Sequence, residues 1–339
     1  MKRYGLMMLC FAVILAAVPA VPAIIERRDS TDSEKISEES VHDDKGETIL
    51  MLDTSTGDVL SLSMRDYIIG AVTAEMPASF EEEALKAQAV AVHTYAVRRQ
   101  EAERENPTPD LCGADISNDS GRYQAYFTKS QAMEFYGTGF EAAYEKISAA
   151  ADEVLPYILT YEDEPILAAF CSMSSGQTES AENVWGQEVP YLVSADSEAD
   201  KKAPNYRYEE QITKGELKEI LENAYPEGDF SGDCEKWLET GEKSESGTVL
   251  EAMAGGVRTT GQEIRAALGL RSAAFEVKWE NGNCTITTRG YGHGVGMSQY
   301  GANAMAKSGS DWREILGHYY SGAKIAATEK TAEKTNPKN

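Results

Sequence analysis

Histidine and cysteine are scarce in this chain, four and five residues among 339. That scarcity argues against metal-rich and disulfide-dense architectures. No two cysteines stand at CxxC spacing, so neither a zinc knuckle nor a thioredoxin-like redox motif is indicated. Positive charge is also in deficit: 32 Lys and Arg face 56 Asp and Glu, a formal net charge of −24. Such acidity excludes a sequence-independent grip on nucleic acid, whose affinity comes from phosphates neutralised by Lys and Arg. There is no GxGxxG or Walker loop to support nucleotide binding, and no internal repeat. Long apolar runs are missing but for one, which excludes a multispan membrane protein. The rest of the composition, 42% hydrophobic and 26% charged, is that of a globular chain rather than a disordered one. Its length suffices for one large core or two smaller ones.

The single apolar run lies at the N-terminus. Lys2 and Arg3 precede LMMLCFAVILAAVPAVPA, Leu6 to Ala23, the pattern of an export signal whose basic end stays in the cytoplasm. At about eighteen residues it stands between a cleaved signal peptide and a single transmembrane anchor. Small residues at Val18/Ala20 and Val21/Ala23 suit a signal peptidase, whereas Pro19 and Pro22 fit it poorly. Residues 1–25 are therefore read as signal or anchor. Either way the remainder works outside the cytoplasm, membrane-attached by one pass or secreted. Residues 26–47 are rich in Ser, Asp and Glu and nearly free of large apolar side chains, an acidic disordered linker in which His42 is simply solvated. With Cys10 in the export segment, Cys112, Cys171, Cys234 and Cys284 remain, and their spacing singles out no disulfide pairing.

The folded part is expected over 48–326, with a polar tail at 327–339. Thr48–Leu52 and Val59–Leu62 read as a hairpin. Ser63 caps a helix to about Met76, ended by Pro77, and Ser79 with Glu82 forms an S-x-x-E box opening a longer helix to about Glu105. Residues 110–127 read as irregular and 129–149 as one amphipathic helix. Tyr157–Tyr161 and Ile166–Ser172 form a second hairpin around Glu-Asp-Glu-Pro. After a long polar stretch come a helix near 214–222 and another capped by Thr260 with Glu263. Phe275–Trp279 then pairs with Cys284–Thr288 across Asn281-Gly282, and a last helix runs from about Ser298 to Lys307. Strands and helices come in blocks rather than strict alternation, which predicts an α+β fold of mixed helices and antiparallel hairpins around a substrate cleft.

Glu75 carries the functional reading. On the first helix Met64, Tyr67, Ile68, Ala71 and Val72 form an i, i+3, i+4, i+7 stripe whose next position is Glu75. A carboxylate is thus expected on the buried face, in the last turn before a proline. Desolvation and the negative end of the helix dipole both raise a carboxyl pKa there, and a protonated group near neutral pH is what a general acid needs. The plainer alternative is a Glu paired with Lys or Arg at a helix end. Gln88, Thr94 and Tyr95 place polar groups among alanines, which equally suits hydrogen bonding in a core.

Two other regions carry candidate binding groups. FCSMSSGQTES, Phe170 to Ser180, leaves a strand into small hydroxyl residues suited to a polyhydroxylated ligand. GYGHGVGMSQYGA, Gly290 to Ala302, sets His293 among glycines, with Gln299 and Tyr300 on the next helix. Glycines allow close backbone approach and the helix start offers free N–H groups, although a purely structural turn would read the same.

At this point the chain resembles a known family. YIIGAVTAEMPASFEEEALKAQAVAVHTYA, SSGQTESAENVWGQEVPYL, GQEIRAALGLRSAAF and GYGHGVGMSQYGANAMAKSG look like stage II sporulation protein D, in that family's order and over essentially Thr48 to Ile325. The resemblance implies a peptidoglycan lytic transglycosylase, anchored by an N-terminal span and acting in septal wall thinning during engulfment. It implies as substrate glycan strands stripped of stem peptides by the amidase stage II sporulation protein P, with stage II sporulation protein M holding the partners together. It also implies Glu75 as the catalytic residue. Holding the sugar is assigned to Gln88, Ser174, Ser175, Thr178, His293, Gln299 and Tyr300, on polarity and motif position.

The chain departs from the family pattern in places. His93 stands where many members carry Arg, which exchanges a permanent cation for a titratable group. Cys171 stands where a His often precedes the SxSGG-like run, and Gln177 replaces a second Gly or its neighbour. Some members bind zinc in the region matching Leu111–Tyr126. Here Cys112 is followed by no His and GRYQAY replaces HCQAY, so no zinc and no other cofactor is expected. Three rival readings remain: a hydrolytic muramidase using Glu75 with Glu179, a non-catalytic wall-binding amidase activator, and a thiol hydrolase built on Cys171 and His293.

Overall fold

The computed structural model describes residues 47–280 and 283–328. The expected export segment, nearly all of the acidic linker, the Asn281-Gly282 turn and the end of the tail lie outside the described residues. Among the described residues no helix is long and apolar enough to cross a membrane.

The α+β expectation holds, with one refinement: the chain builds two hydrophobic cores. The first surrounds a long helix. Strands β1 (Thr48–Leu52) and β2 (Val59–Ser63) pair antiparallel, and β3 (Ile116–Ser117) joins β1 in parallel. Ser63 then caps α1 (Met64–Glu75) by accepting from the Asp66 N–H, as expected of an N-cap serine. The stripe Met64, Tyr67, Ile68, Ala71 and Val72 is buried throughout. α2 (Glu82–Glu105) runs through the core's centre, its Ala84, Ala87, Ala91 and Ala96 letting neighbours approach closely. It packs against α1, α4 (Phe140–Val154), α8 (Gln299–Lys307) and α9 (Trp312–Tyr319). The second core lies within the chain segment 207–289. There β7 (Arg207–Thr213), β11 (Phe275–Glu280) and β12 (Asn283–Arg289) form one sheet, and β8 (Leu238–Thr240), β9 (Ala252–Ala254) and β10 (Val257–Thr259) another. Helices α6 (Lys214–Ala224) and α7 (Gly261–Leu268) cover them, and Leu217, Phe230, Trp237, Ile264 and Phe275 fill the interior.

Three local expectations need correction. The Ser79/Glu82 box does not form: α2 starts after Glu81, whose N–H donates to the side chain of Asn303 at 2.8 Å. A tertiary partner thus meets the backbone demand that a local cap would have met. The helix expected over 129–149 breaks at Gly137 (φ 53°) into α3 (Lys129–Tyr136) and α4, because glycine tolerates the left-handed turn between them. The second hairpin keeps β4 (Tyr157–Tyr161) and a short β5 (Glu164–Pro165), turning through Glu162 and Asp163, both at positive φ. Its outgoing arm leaves the sheet, and β6 (Phe170–Cys171) pairs instead in parallel with β13 (Met297–Ser298). That pairing brings the hydroxyl-rich and glycine-rich motifs side by side.

The C-terminal part holds two elements that the motif reading passed over. Asp311 caps α9 with a full capping box, and Trp312, Ile315, Leu316 and Tyr319 form its buried face. β14 (Lys324–Ala327) then closes antiparallel on β4. A short helix α5 (Ala181–Trp185) follows the hydroxyl-rich motif, capped by Ser180.

Candidate active site

Glu75 is the last residue of α1, where Met76 turns extended and Pro77 redirects the chain. Its side chain is partly buried, and among the described residues no Lys or Arg comes within ion-pair distance of it. Among the described residues its one protein hydrogen bond is accepted by Oε1 from the Ala125 N–H at 2.7 Å. Burial pushes the carboxyl up to about 7, and the Ala125 donor offsets part of that rise. The alternative of a helix-end Glu neutralised by a cation is thus not what the chain builds.

Residues 123–127 supply that donor, and their placement follows from α1. Gly70 presents a bare face: a Cβ there would lie 2.3 Å from Tyr126 Cε2 and 2.7 Å from the Phe127 carbonyl oxygen. Phe127 N–H donates to the Gly70 carbonyl at 3.2 Å, and the Tyr126 ring stacks on Tyr67 with centroids 5.9 Å apart. Tyr67 Oη donates to Gln124 Oε1 at 3.2 Å. Tyr67 and Tyr95 both lie within electrostatic reach of Glu75. On its other side the 76–81 turn is held by Lys146 Nζ, which donates to the carbonyls of Ala78 at 3.0 Å and Phe80 at 2.5 Å.

The turn also meets α8. The Phe80 ring contacts Tyr300 edge-on at 5.0 Å, and Gln299 Nε2 donates to Gln88 Oε1 at 3.3 Å across the α2–α8 contact. Gln88 is wholly buried and its own amide nitrogen has no partner among the described residues. Gln88 and Gln299 are therefore brought together, and the neighbouring Tyr300 meets the turn that follows Glu75 in the chain.

The other candidate residues gather around a buried carboxylate that the motifs did not flag. Asp200 has no solvent exposure, and its Oδ2 accepts from the Ser174 N–H at 2.7 Å and the Ser174 hydroxyl at 2.6 Å. Its Oδ1 accepts from the Ser298 hydroxyl at 2.9 Å, and Ser298 caps α8. Burial raises the Asp200 carboxyl, and these donors hold it down. Ser174 is accordingly buried with its hydroxyl engaged. Thr178 is buried too, exchanging hydrogen bonds with Ala195, and Ser175 Oγ donates to the Ser246 carbonyl at 2.9 Å. Nothing in the sequence around Asp200 marks it as a hub, because Ser174 and Ser298 come from two distant segments.

His293 sits in the glycine turn with Nδ1 accepting from the Val295 N–H at 3.1 Å and the ring donating to the Phe170 carbonyl. The proton is thus assigned to Nε2. Burial, with the Arg265 charge, pulls its pKa down to about 4, so the ring is a neutral imidazole at neutral pH. A water-sized cavity of about 10 Å³ separates it from Ser174, Glu179 and Thr248. Glu179 is buried, with Oε1 accepting from the Ser244 and Ser246 hydroxyls and Oε2 from Asn183 at 3.0 Å. None of its hydrogen bonds reaches Glu75. A second cavity of about 420 Å³ lies elsewhere, between Leu50, Gln100, Glu103 and Asp115. Glu75 lines neither cavity.

Two departures from the family pattern acquire a physical meaning. His93 was expected as a titratable cation. It is buried, its pKa falls to about 4, and Nδ1 lies 3.1 Å from the Tyr157 carbonyl oxygen, so it is neutral at physiological pH. Burial pushes the Cys171 thiol up to about 12, which leaves no thiolate for a nucleophile at neutral pH. The four described cysteines are all free, with Cys112 exposed. Among the described residues no three His, Cys, Asp or Glu gather as a metal site.

Comparison with known proteins adds an independent line. The family model described as Stage II sporulation protein matches residues 53–161, the part that contains Glu75 and Ala125. Stage II sporulation protein D of Bacillus subtilis is 35% identical, over 97% of both chains. The protein of the same name from Bacillus amyloliquefaciens is 38% identical, over 83% of this chain and 79% of its own. A protein of Bacillus subtilis named amidase enhancer is 26% identical over 76% of this chain but only 40% of its own length.

Proposed function

The chain belongs to the stage II sporulation protein D family, a sporulation family, and we propose that it is a peptidoglycan lytic transglycosylase that uses Glu75 as its single acid–base group. The observation that carries this reading is the state of Glu75: a desolvated carboxyl with a pKa of about 7 and, among the described residues, no cation beside it and no second carboxylate bonded to it.

One such group is enough for this reaction. A retaining glycosidase needs a second carboxyl about 5–5.5 Å away, and an inverting one about 6.5–9.5 Å away with room for water. In the transglycosylase, protonated Glu75 gives its proton to the oxygen bridging MurNAc and GlcNAc. The resulting carboxylate takes the proton of the MurNAc C6 hydroxyl, whose oxygen closes on C1. GlcNAc leaves with a hydroxyl, MurNAc keeps a 1,6-anhydro ring, and no water is consumed. The nucleophile is already tethered to the sugar, so the protein chiefly orients it. Gln88, Gln299, Tyr300 and Ser175 are proposed to do so, with Ser174, Thr178 and neutral His293 shaping the loops. No metal or other cofactor enters the scheme. The proposed setting is outside the cytoplasm, on an N-terminal anchor or after signal cleavage, upon glycan that an amidase such as stage II sporulation protein P has stripped, with stage II sporulation protein M as a further partner.

Mass spectrometry of peptide-free glycan after digestion tests this directly. Ends one water lighter than reducing MurNAc are expected, and reducing ends would replace the scheme by a muramidase. The amidase-enhancer relative favours a second reading, a wall-binding activator of amidases. Wild-type protein that binds glycan and stimulates an amidase, yet releases no fragments alone, would establish that one instead.

A further inference from the structure

Among the described residues most arginines with buried stems have an acidic partner: Arg65 with Asp152, Arg99 with Glu103, Arg289 with Glu276. Arg265 and Arg271 have none among the described residues, although both are partly buried and burial lowers both from the usual arginine value. In a chain of net charge −24, two guanidinium groups left without a carboxylate are unexpected unless a ligand supplies one.

Their position is informative. The Gly292 N–H donates to the Arg271 carbonyl at 2.9 Å, which ties Arg271 to the glycine turn of His293. Its guanidinium lies 4.6 Å from the Tyr291 ring centroid and 5.4 Å from that of Tyr208, and Nη1 donates to the Asn205 carbonyl at 2.9 Å. No other hydrogen bond of that fork is made among the described residues. Tyr300 lies within its electrostatic reach, and Tyr291 within reach of both arginines. Nearby aromatic faces are open: Tyr208 is 45% exposed, and Trp185, whose ring lies 5.5 Å from that of His293, is 43% exposed. Aromatic faces beside an unpaired fork suit a sugar that carries a carboxylate.

We propose that Arg271, with Arg265 adding charge at Tyr291, binds the free lactyl carboxylate of MurNAc and so selects glycan whose stem peptides have been removed. This rests on the reading of glycan as substrate. A stem peptide turns that carboxylate into an amide, which abolishes the negative charge and leaves the guanidinium without its counterion. The same contact gives an otherwise acidic protein a local attraction to an anionic polymer.

The test is equilibrium binding of two labelled GlcNAc–MurNAc oligosaccharides to full-length Glu75→Gln protein, which should not turn them over. One ligand carries the free lactyl carboxylate, and the other carries it as a methylamide. The carboxylate form is expected to bind at least about tenfold tighter, the size of a charge-assisted contact. Arg271→Gln should bring that ratio close to one without weakening the amide form, and Arg271→Lys should restore part of it. A ratio near one in the parent protein, a ratio that survives Arg271→Gln, or equal weakening of both ligands overturns the assignment. The parent's own ratio requires no further folded variant. If anhydro ends are produced but the ratio is absent, the Arg271 site falls alone. If neither oligosaccharide binds, the glycan reading itself falls.

Discussion

The backbone N–H of Ala125 donates to Glu75 Oε1 at 2.7 Å, and it is the only protein donor that the carboxyl receives among the described residues. An acid held by one neutral amide in a desolvated setting remains near its switching point at neutral pH, whereas one held by Arg would be ionised throughout. Removing the acid while keeping its shape is the first prediction. Glu75→Gln should lower glycan cleavage by about 10²–10⁴-fold with binding retained, the range for loss of a general acid–base group. Fragment release that is unchanged in this variant would return Glu75 to a structural role.

Activity should also follow the protonation of that group. With the carboxyl at about 7, kcat/KM is expected to fall as pH rises through neutrality, because the proton to be donated is lost. His293 and His93, both near 4, stay neutral over the same interval and should leave no inflection there. A pH–rate profile on peptide-free glycan measures this limb.

Stability should carry the same signature with a defined sign. The folded-state pKa of Glu75 is raised from 4.5 to about 7, so folding favours the protonated form. Its contribution is complete below pH 4.5 and is lost as pH climbs to about 7, a change of about 3 kcal/mol. Glu75→Gln, which is always neutral, should therefore gain on the wild type between pH 4.5 and pH 8. Urea midpoints at both pH values check it, and parallel shifts of the two proteins would contradict the buried-acid assignment.

Gly70→Ala should disturb Glu75 from a distance. The added methyl meets Tyr126 Cε2 at 2.3 Å, so residues 125–127 must move and the Ala125 donor moves with them. Alanine's better helix propensity, about 1 kcal/mol, is expected to be outweighed by overpacking of about 1–3 kcal/mol. A lower melting temperature is expected, with the descending limb of the rate profile displaced to higher pH, since the bond that depresses the Glu75 pKa is weakened.

Asp200→Ala strands two donors of Ser174 and one of Ser298 in a dry interior. A loss of at least about 2 kcal/mol is expected by denaturant titration, with Asp200→Asn costing less because it keeps an acceptor in place. Equal stability of Asp200→Ala and wild type would remove Asp200 as the link between the two motif loops.

Much of this protein was legible in its residue order. The 3.6-residue stripe from Met64 to Val72 points at Glu75, because a helix repeats its faces without reference to the rest of the chain. Ser63, Thr260 and the strands around Asn281-Gly282 obey similarly local rules. The failures share one cause, partners distant along the chain. Asn303 replaces the Ser79 cap, β13 captures the arm expected to complete the second hairpin, and a capped α9 packs its Trp312 face onto α2.

By itself, then, the amino-acid order determined which helix carries the acid and on which face, and which segments are glycine-rich and hydroxyl-rich, since propensity, periodicity and capping act over a few residues. Only the tertiary structure decided that Ala125 rather than a cation meets Glu75, that Asp200 joins Ser174 to Ser298, and that Arg271 stands without an acidic partner among the described residues. Desolvation and hydrogen-bond pairing depend on which distant segments arrive at the same place, and no local rule of sequence specifies that arrival.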